Sequence, residues 1–296
     1  LYNSLAFSNI ENYKVDIRNF NLLEKTIKEI SPEIIIHMAA QSIVKESYKN
    51  PLSTIETNVQ GTANILESSR DIDTLRLVLI VTSDKCYENK NDGKYYIETD
   101  NLGGSDPYSA SKAAAEIITS AYLSSFYCEK NVGIASVRAG NVIGGGDWSN
   151  NRLIPDAMRA FNKNQVLNIR SPEATRPWQF VLEPLCGYLI LCERLWSKPE
   201  RFSGSWNFGP NKDSIKKVGE VIESLKIIWG NNVEWKIIAD EKFKEAKLLQ
   251  LDSSKAKTYL EWSQKIPLDH ALKITVDWYS NFFQSNKDVK NYSMEQ

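Results

Sequence analysis

Histidine is almost missing from this 296-residue chain, with only His37 and His270 present. There is no HExxH pair and no cysteine pair at CxxC spacing, so no metal site is expected. The four cysteines, Cys86, Cys128, Cys186 and Cys192, are too few and too scattered for a disulfide scaffold. Their scarcity points to a reducing compartment and a cytoplasmic protein. No apolar run approaches the roughly 20 residues that a membrane helix needs, so a membrane is not an expected partner. An excess of one charge is lacking too: 36 Lys+Arg stand against 37 Asp+Glu, a net charge of −1. Nucleic acid is therefore not expected, because binders of polyanions carry a basic surplus. A hydrolase is disfavoured by the absence of a GxSxG elbow, and no P-loop pattern occurs.

A further absence concerns the start. The chain opens on Leu1, with no charged-then-apolar leader, and the expectation is that its natural start lies upstream. A dinucleotide-binding domain opens with a strand, a glycine turn and a helix. The only glycine cluster of suggestive spacing is Gly140, Gly144, Gly145 and Gly146. The stretch after it (DWSNNRLIP) has no apolar helical period, so no helix N-terminus stands ready for a pyrophosphate. That cluster reads instead as a loop at the top of a sheet, beside the substrate. Without its glycine turn, the chain as it stands is expected to be nearly inactive.

What is present is a core: 42% of residues are apolar, ample for one large or two modest domains. Strands are expected at Asn12 to Ile17, Ile34 to Met38, Leu75 to Thr82 and Gly133 to Ala139. Helices are expected at Asn19 to Ile30, Asn58 to Arg70 and Tyr108 to Tyr127, the last with Ile117, Ile118, Ala121 and Phe126 as its buried stripe. This alternation predicts an α/β fold with a doubly wound parallel sheet, Rossmann-like but lacking its first βαβ segment. Past Gly140 the rhythm breaks. The stretch Pro172 to Trp178 reads as irregular, Glu183 to Leu195 as a helix, Trp206 to Phe208 as a strand rejoining the sheet, and Val233 to Ile238 as a strand of a smaller lobe. The division expected is residues 1–142 with 176–208 for the dinucleotide, 143–175 with 209–284 for the substrate, and a polar tail at 285–296.

The sharpest chemical signal is Tyr108 and Lys112, a YxxxK pair at a helix start. Spacing of four puts phenol and ammonium on one face. A nearby ammonium favours phenolate, and a tyrosine so tuned removes a hydroxyl proton while hydride leaves the same carbon. Upstream, an apolar strand ends in Thr82-Ser83-Asp84-Lys85, and strand ends of a parallel sheet face the ligand crevice.

Strand, Ser-Asp at its end, then YxxxK: this order resembles the extended short-chain dehydrogenase/reductase family. Within it, HMAAQS (37–42), VTSDKCYE (81–88), DPYSASK (106–112), RAGNVIGGGDW (138–148), RLIPD (152–156), RPWQFVLEPL (176–185) and WNFGP (206–210) are similar to the CDP-glucose 4,6-dehydratases. The likeness runs from about residue 10 to 280.

The resemblance implies NAD as cofactor and a nucleotide-activated hexose as substrate, oxidised at C4, dehydrated across C5–C6 and reduced at C6. It further implies deoxysugar supply to lipopolysaccharide O-antigen, and a homodimer made by a helix pair that includes the Tyr108 helix. Tyr108 would be the C4 base, Ser83 its companion, Asp84 the acid for the C6 hydroxyl, and Lys85 either the C5 base or a stabiliser of the enolate. Asp16, Ile17, Ala39, Ala40, Gln41, Tyr108 and Lys112 would hold NAD, and Asn141, Arg152, Leu153 and Arg176 the substrate. His37 reads as a core residue. One departure is Phe243-Lys-Glu-Ala-Lys247, where a histidine-bearing HEA is expected. Two rival readings remain open: a nucleotide-sugar epimerase, which needs no acid at C6, and a noncatalytic binding protein.

Overall fold

The computed structural model describes residues 10–230, 233–238, 248–285 and 292–294. In chain order, helix α1 (Phe20–Ile30) leads to strand β1 (Ile34–His37) and helix α2 (Val44–Lys49). Helix α3 (Pro51–Ile55) runs through a π-turn (Glu56–Gln60) into α4 (Gly61–Ser68), and β2 (Leu77–Val81) comes after it. Next come β3 (Tyr95–Tyr96), α5 (Pro107–Tyr122) with its π-turn (Leu123–Tyr127), β4 (Gly133–Ala139) and β5 (Asn141–Ile143). Helix α6 (Leu153–Asn162), β6 (Leu167–Ile169), β7 (Thr175–Phe180), α7 (Leu182–Ser197), α8 (Pro199–Phe202) and β8 (Gly204–Phe208) continue the chain. It finishes with β9 (Ile215–Lys217), α9 (Val218–Trp229), β10 (Trp235–Ile237), β11 (Gln250–Leu251), α10 (Ser254–Leu260) and α11 (Leu268–Ser285).

The central sheet has the order β1-β2-β4-β8, every pair parallel. It is covered on both faces, as a continuously apolar strand requires. Leu77 and Leu79 of β2 point to α7, α8 and α10, where Leu191, Leu195, Phe202, Ala256 and Leu260 wait. Val78 and Ile80, one residue out of phase, meet Leu23 and Ile27 of α1 and Ile65 and Leu66 of α4. Each side chain so buried contributes roughly 1.5–3 kcal/mol. A second core lies apart from the sheet, built by α6, α9 and α11 with Trp178 and Phe180 of β7. The α/β class and the doubly wound parallel sheet are as the alternation predicted.

Several local expectations are corrected. Asn12 to Ile17 forms no strand, because no other strand among the described residues lies beside it to complete a ladder. Strand β1 is buried on one side only, with Ile34 44% and Ile36 40% exposed. On the Tyr108 helix the stripe is misassigned: Ile117 is 58% and Phe126 39% exposed, while Tyr108, Ser111, Lys112, Ala115, Glu116 and Thr119 face inward. Hydrophobicity misleads there because the inward face serves a polar site. Pro172 to Trp178 is not irregular throughout, since Thr175–Phe180 is strand β7. Its Pro177 is tolerated because β9 pairs with 175–177 and β5 only with 178–180, leaving the proline flanked on one side.

Candidate active site

The site grows from two local structures at the C-terminal end of the sheet. After β2 the backbone stays extended at Ser83, whose Oγ accepts from the Lys85 N–H at 3.2 Å and so caps the 3₁₀ turn Asp84–Cys86. Helix α5 starts by sequence rule: Asp106 accepts from the Ser109 N–H at 2.9 Å, with Pro107 in the first turn. Gly104 lies flat against that first turn. A Cβ there would stand 2.3 Å from the Ala110 nitrogen, so no larger residue fits without moving the helix.

These two pieces bring Ser83, Asp84, Lys85, Tyr108 and Lys112 together. The Ser83 hydroxyl donates to Asp84 Oδ1 at 3.0 Å, and Lys85 Nζ lies 3.8 Å from the same oxygen. Asp84 is 2% exposed, and its Oδ2 is buried without a hydrogen-bond partner. Burial pushes the Tyr108 phenol up to about 12, a hydrogen bond with Ser83 pulls it down, the Asp84 charge raises it and the Arg152 charge lowers it. The Lys112 ammonium donates to the Val81 carbonyl at 3.2 Å. Burial pulls it down to about 8, against the opposing charge of Glu116. His37, hydrogen-bonded to Thr62 Oγ1 at 3.2 Å, is lowered to about 4 by burial and by the Lys112 charge. It is a core residue, as expected.

Beneath the site lies a buried polar network that sequence reasoning missed. Glu116, one turn beyond Lys112, accepts from Arg138 at 2.7 Å and Ser136 at 2.6 Å, and from Thr82. Arg138 also donates to the Tyr87 hydroxyl at 2.6 Å, which donates to Asn207 at 2.8 Å. Asn58 was missed as well. Its side chain accepts from the Gln41 N–H at 2.8 Å and donates to the Gln41 carbonyl at 2.9 Å and to Ser111 Oγ at 2.8 Å. It thereby ties the loop after β1 to α5. The available signal was an asparagine, a poor helix former, inside a helix; the π-turn that carries it is common at functional sites.

On the expected cofactor side, Ala39 is exposed and Ala40 half-buried in the loop leaving β1. Gln41 is fixed by Asn58 and by its own bond to Thr54 at 2.9 Å. Asp16 is held by Arg18, with contacts as short as 2.6 Å, and the hydrogen bond from that guanidinium lowers its carboxyl to about 2. The Ile17 carbonyl accepts from Asn64 at 2.8 Å. On the expected substrate side, Asn141 opens β5 and its Oδ1 is buried without a partner. Arg152 donates to Ser42 Oγ at 2.7 Å. Leu153 packs partly buried on the second core, and Arg176 is 6% exposed within β7. The segment Phe243 to Lys247 lies outside the described residues, as does most of the expected polar tail.

A protein family described as GDP-mannose 4,6 dehydratase matches residues 2–275. The CDP-glucose 4,6-dehydratase of Salmonella typhimurium (strain LT2) is 41% identical over 96% of this chain and 82% of its own length. Among solved structures, the dTDP-glucose 4,6-dehydratase of Bacillus anthracis in complex with NAD superposes with a TM-score of 0.79 at 22% identity, covering 98% of this chain and 85% of that one. The UDP-glucuronic acid 4-epimerase of Bacillus cereus, with UDP-glucuronic acid and NAD, gives 0.82 at 20% identity over 94% and 83%. With that match along nearly its whole length, the chain belongs to the GDP-mannose 4,6 dehydratase family and is a nucleotide-sugar 4,6-dehydratase of the extended short-chain dehydrogenase/reductase type.

Proposed function

We propose that the substrate is CDP-glucose and the product CDP-4-keto-6-deoxyglucose, made with NAD as a cofactor that is regenerated in each cycle. The observation that carries this reading is the Ser83-Asp84-Lys85 turn set against Tyr108, in a chain 41% identical to a CDP-glucose 4,6-dehydratase. Asp84 Oδ2 and Asn141 Oδ1 are buried acceptors with no donor, and hydroxyl groups of a sugar are the donors that would satisfy them. For NAD, the small loop Ala39-Ala40-Gln41, the buried Lys112, the exposed Asp16 and the half-buried Ile17 offer fitting surroundings. Bound NAD⁺ supplies a hydride acceptor at C4 and, once reduced, a donor at C6.

Tyr108 takes the proton of the C4 hydroxyl, with Ser83 holding that oxygen. Phenolate has to form in a buried site, and Arg152 lowers its cost. Asp84 protonates the departing C6 hydroxyl. Lys85, made a neutral amine by passing its proton to Asp84 3.8 Å away, removes the C5 proton, acidified by the new C4 ketone, so the proton Asp84 gives to the C6 hydroxyl is the one it took from Lys85. Arg152, Arg176 and the Asn141–Leu153 loop receive the diphosphate, since guanidinium groups pair with phosphate oxygens.

We also propose a homodimer through α3 and α5, supported by exposed Leu52 (73%), Ile55 (45%) and Ile117 (58%) on those helices. A cytoplasmic enzyme feeding deoxysugar, O-antigen-type synthesis fits the unpaired cysteines and the chemistry of the product. The two-lobe division (1–142 with 176–208, against 143–175 with 209–284) is a further proposal. The separate second core supports it, although Trp178 and Phe180 pack in that core and α10 packs on the sheet.

The test incubates the full-length protein with NAD⁺ and CDP-, UDP-, dTDP- or GDP-glucose and follows the 4-keto product by its alkaline ultraviolet absorbance. Product from CDP-glucose alone is expected. A 4-epimer without dehydration would make it an epimerase, and no turnover with any sugar would favour a binding role.

A further inference from the structure

The glycine cluster that resembles a phosphate loop has a different use in the fold. Gly145 lies under the indole of Trp278 on α11, where a Cβ would stand 2.1 Å from Trp278 Cγ. Gly144 lies against Val181, 2.8 Å from its Cγ1 by the same construction, and Gly146 has φ +80°. No side chain fits the first two places without displacing a neighbour, and the third favours glycine. The loop then drives Trp148 into an aromatic group on α11: ring centroids lie 4.8 Å from Phe282, 5.3 Å from Tyr279 and 6.2 Å from Trp278. The Tyr279 hydroxyl donates to the Asp147 carbonyl, and Arg159 holds the Trp148 carbonyl at 3.0 Å.

The far end of this strap is Arg152. Its Nε lies 3.9 Å from Asp147 Oδ2, and its Nη2 reaches Ser42 Oγ at 2.7 Å, in the loop that leaves β1 and carries Gln41. Arg152 thus bridges the second lobe and the cofactor-side loop, hydrogen-bonded to Ser42 and within ion-pair range of Asp147, while its Nε is buried without a hydrogen-bond partner. We infer that the Gly144–Trp148 strap, clamped by Trp278 and Tyr279, is a positioning device that sets Arg152 to receive a nucleoside diphosphate, with Ser42 as its second anchor.

A long arginine side chain loses rotamer freedom when it binds phosphate. Fixing it beforehand from two sides moves that cost from binding into folding. Trp278 and Tyr279 do not touch substrate in this scheme; they act through Asp147 and Arg152.

The inference rests on the reading of Arg152 as a diphosphate partner, and the experiment separates the two. Cytidine diphosphate is titrated calorimetrically into the full chain and into Arg152→Ala, Tyr279→Phe, Ser42→Ala and the double variant Arg152→Ala/Tyr279→Phe, with Tm recorded for each. Arg152→Ala should weaken binding by about 10-fold or more, the scale of a charge-assisted hydrogen bond. Tyr279→Phe, which removes a neutral hydrogen bond to the Asp147 carbonyl, and Ser42→Ala, which removes the acceptor of the bond that Arg152 donates, should each weaken it by about 5-fold or more with Tm nearly unchanged. The double variant should bind no more weakly than Arg152→Ala, because a positioning residue has nothing left to position. Gly145→Ala, which displaces the indole, should resemble Tyr279→Phe in binding. If Tyr279→Phe binds as the parent does, or its effect simply adds to that of Arg152→Ala, the strap is scaffold alone. If Arg152→Ala binds as tightly as the parent, it is the diphosphate reading that falls.

Discussion

The ion pair between Glu116 and Arg138 gives the strongest stability prediction, because both side chains are 2% exposed and lie directly beneath Lys112. Burial by itself would raise the Glu116 carboxyl, yet the Arg138 hydrogen bond and charge win and hold it below its usual range. The carboxylate also accepts from Thr82, Ser136 and, at 3.3 Å, Ser205. Changing Glu116→Leu strands the Arg138 charge and leaves those hydroxyls short of an acceptor; removing one partner of such a pair costs about 3–5 kcal/mol. Changing Arg138→Met strands Glu116 at a similar cost. If the two acted independently, the double variant would lose about 6–10 kcal/mol, comparable to the whole stability of a domain. Because they neutralise each other, the double variant should lose less than either single, about 1–3 kcal/mol from the Ser136 hydroxyl and the Glu98 carbonyl left without their partners. Urea unfolding followed by circular dichroism, fitted with a common slope, measures all four corners of the cycle. Additive losses, or single losses under about 1 kcal/mol, would refute the claim that this pair is both desolvated and coupled.

Individual groups give further predictions. His37 titrates near 4 in the fold against a usual 6.5, so between those values the unfolded chain binds a proton that the folded chain refuses. Stability should therefore fall as pH drops from about 6.5 to 4, by up to about 3 kcal/mol, and His37→Phe should flatten that part of the profile. Lys112, lowered to about 8 from 10.5, is buried at a cost of order 3 kcal/mol while protonated. Lys112→Met should raise urea stability at pH 7 while abolishing turnover, and the wild-type excess cost should fade as pH rises from about 8 to 10.5. Lys85→Met should slow exchange of solvent deuterium into C5 at least 100-fold, the scale of a general base; unchanged exchange would leave Lys85 only as a stabiliser of the enolate. Tyr108→Phe should lower kcat by a similar factor with little change in KM.

The periodicities that survived folding are those tied to a single physical demand. Leu75 to Thr82 and Gly133 to Ala139 read as strands because a sheet covered on both faces needs apolar residues on both, and β2 and β4 are buried throughout most of their length. The start of α5 was legible in Asp106-Pro107, because capping is a local rule, and i, i+4 spacing did put Tyr108 and Lys112 on its inward face, although the expected lowering of the phenol by the ammonium is not what the site shows. The reading failed where an element answers to a distant partner. Asn12 to Ile17 has strand composition but no ladder beside it, and Ile117 looked like core yet faces outward.

The sequence by itself determined the alternation of strand and helix, the strand end that presents Ser83, Asp84 and Lys85, and the placing of Tyr108 and Lys112 on one helix face, since each depends on residues within one turn or one strand. Only the tertiary structure decided which groups act on Tyr108. Arg152 reaches it from a loop 44 residues further along the chain, while the Lys112 ammonium turns to the Val81 carbonyl. Only the fold, too, placed Asn58 on Gln41 and Ser111, and Glu116 on Arg138. Electrostatics and burial depend on distance in space, and no local pattern in the chain encodes it.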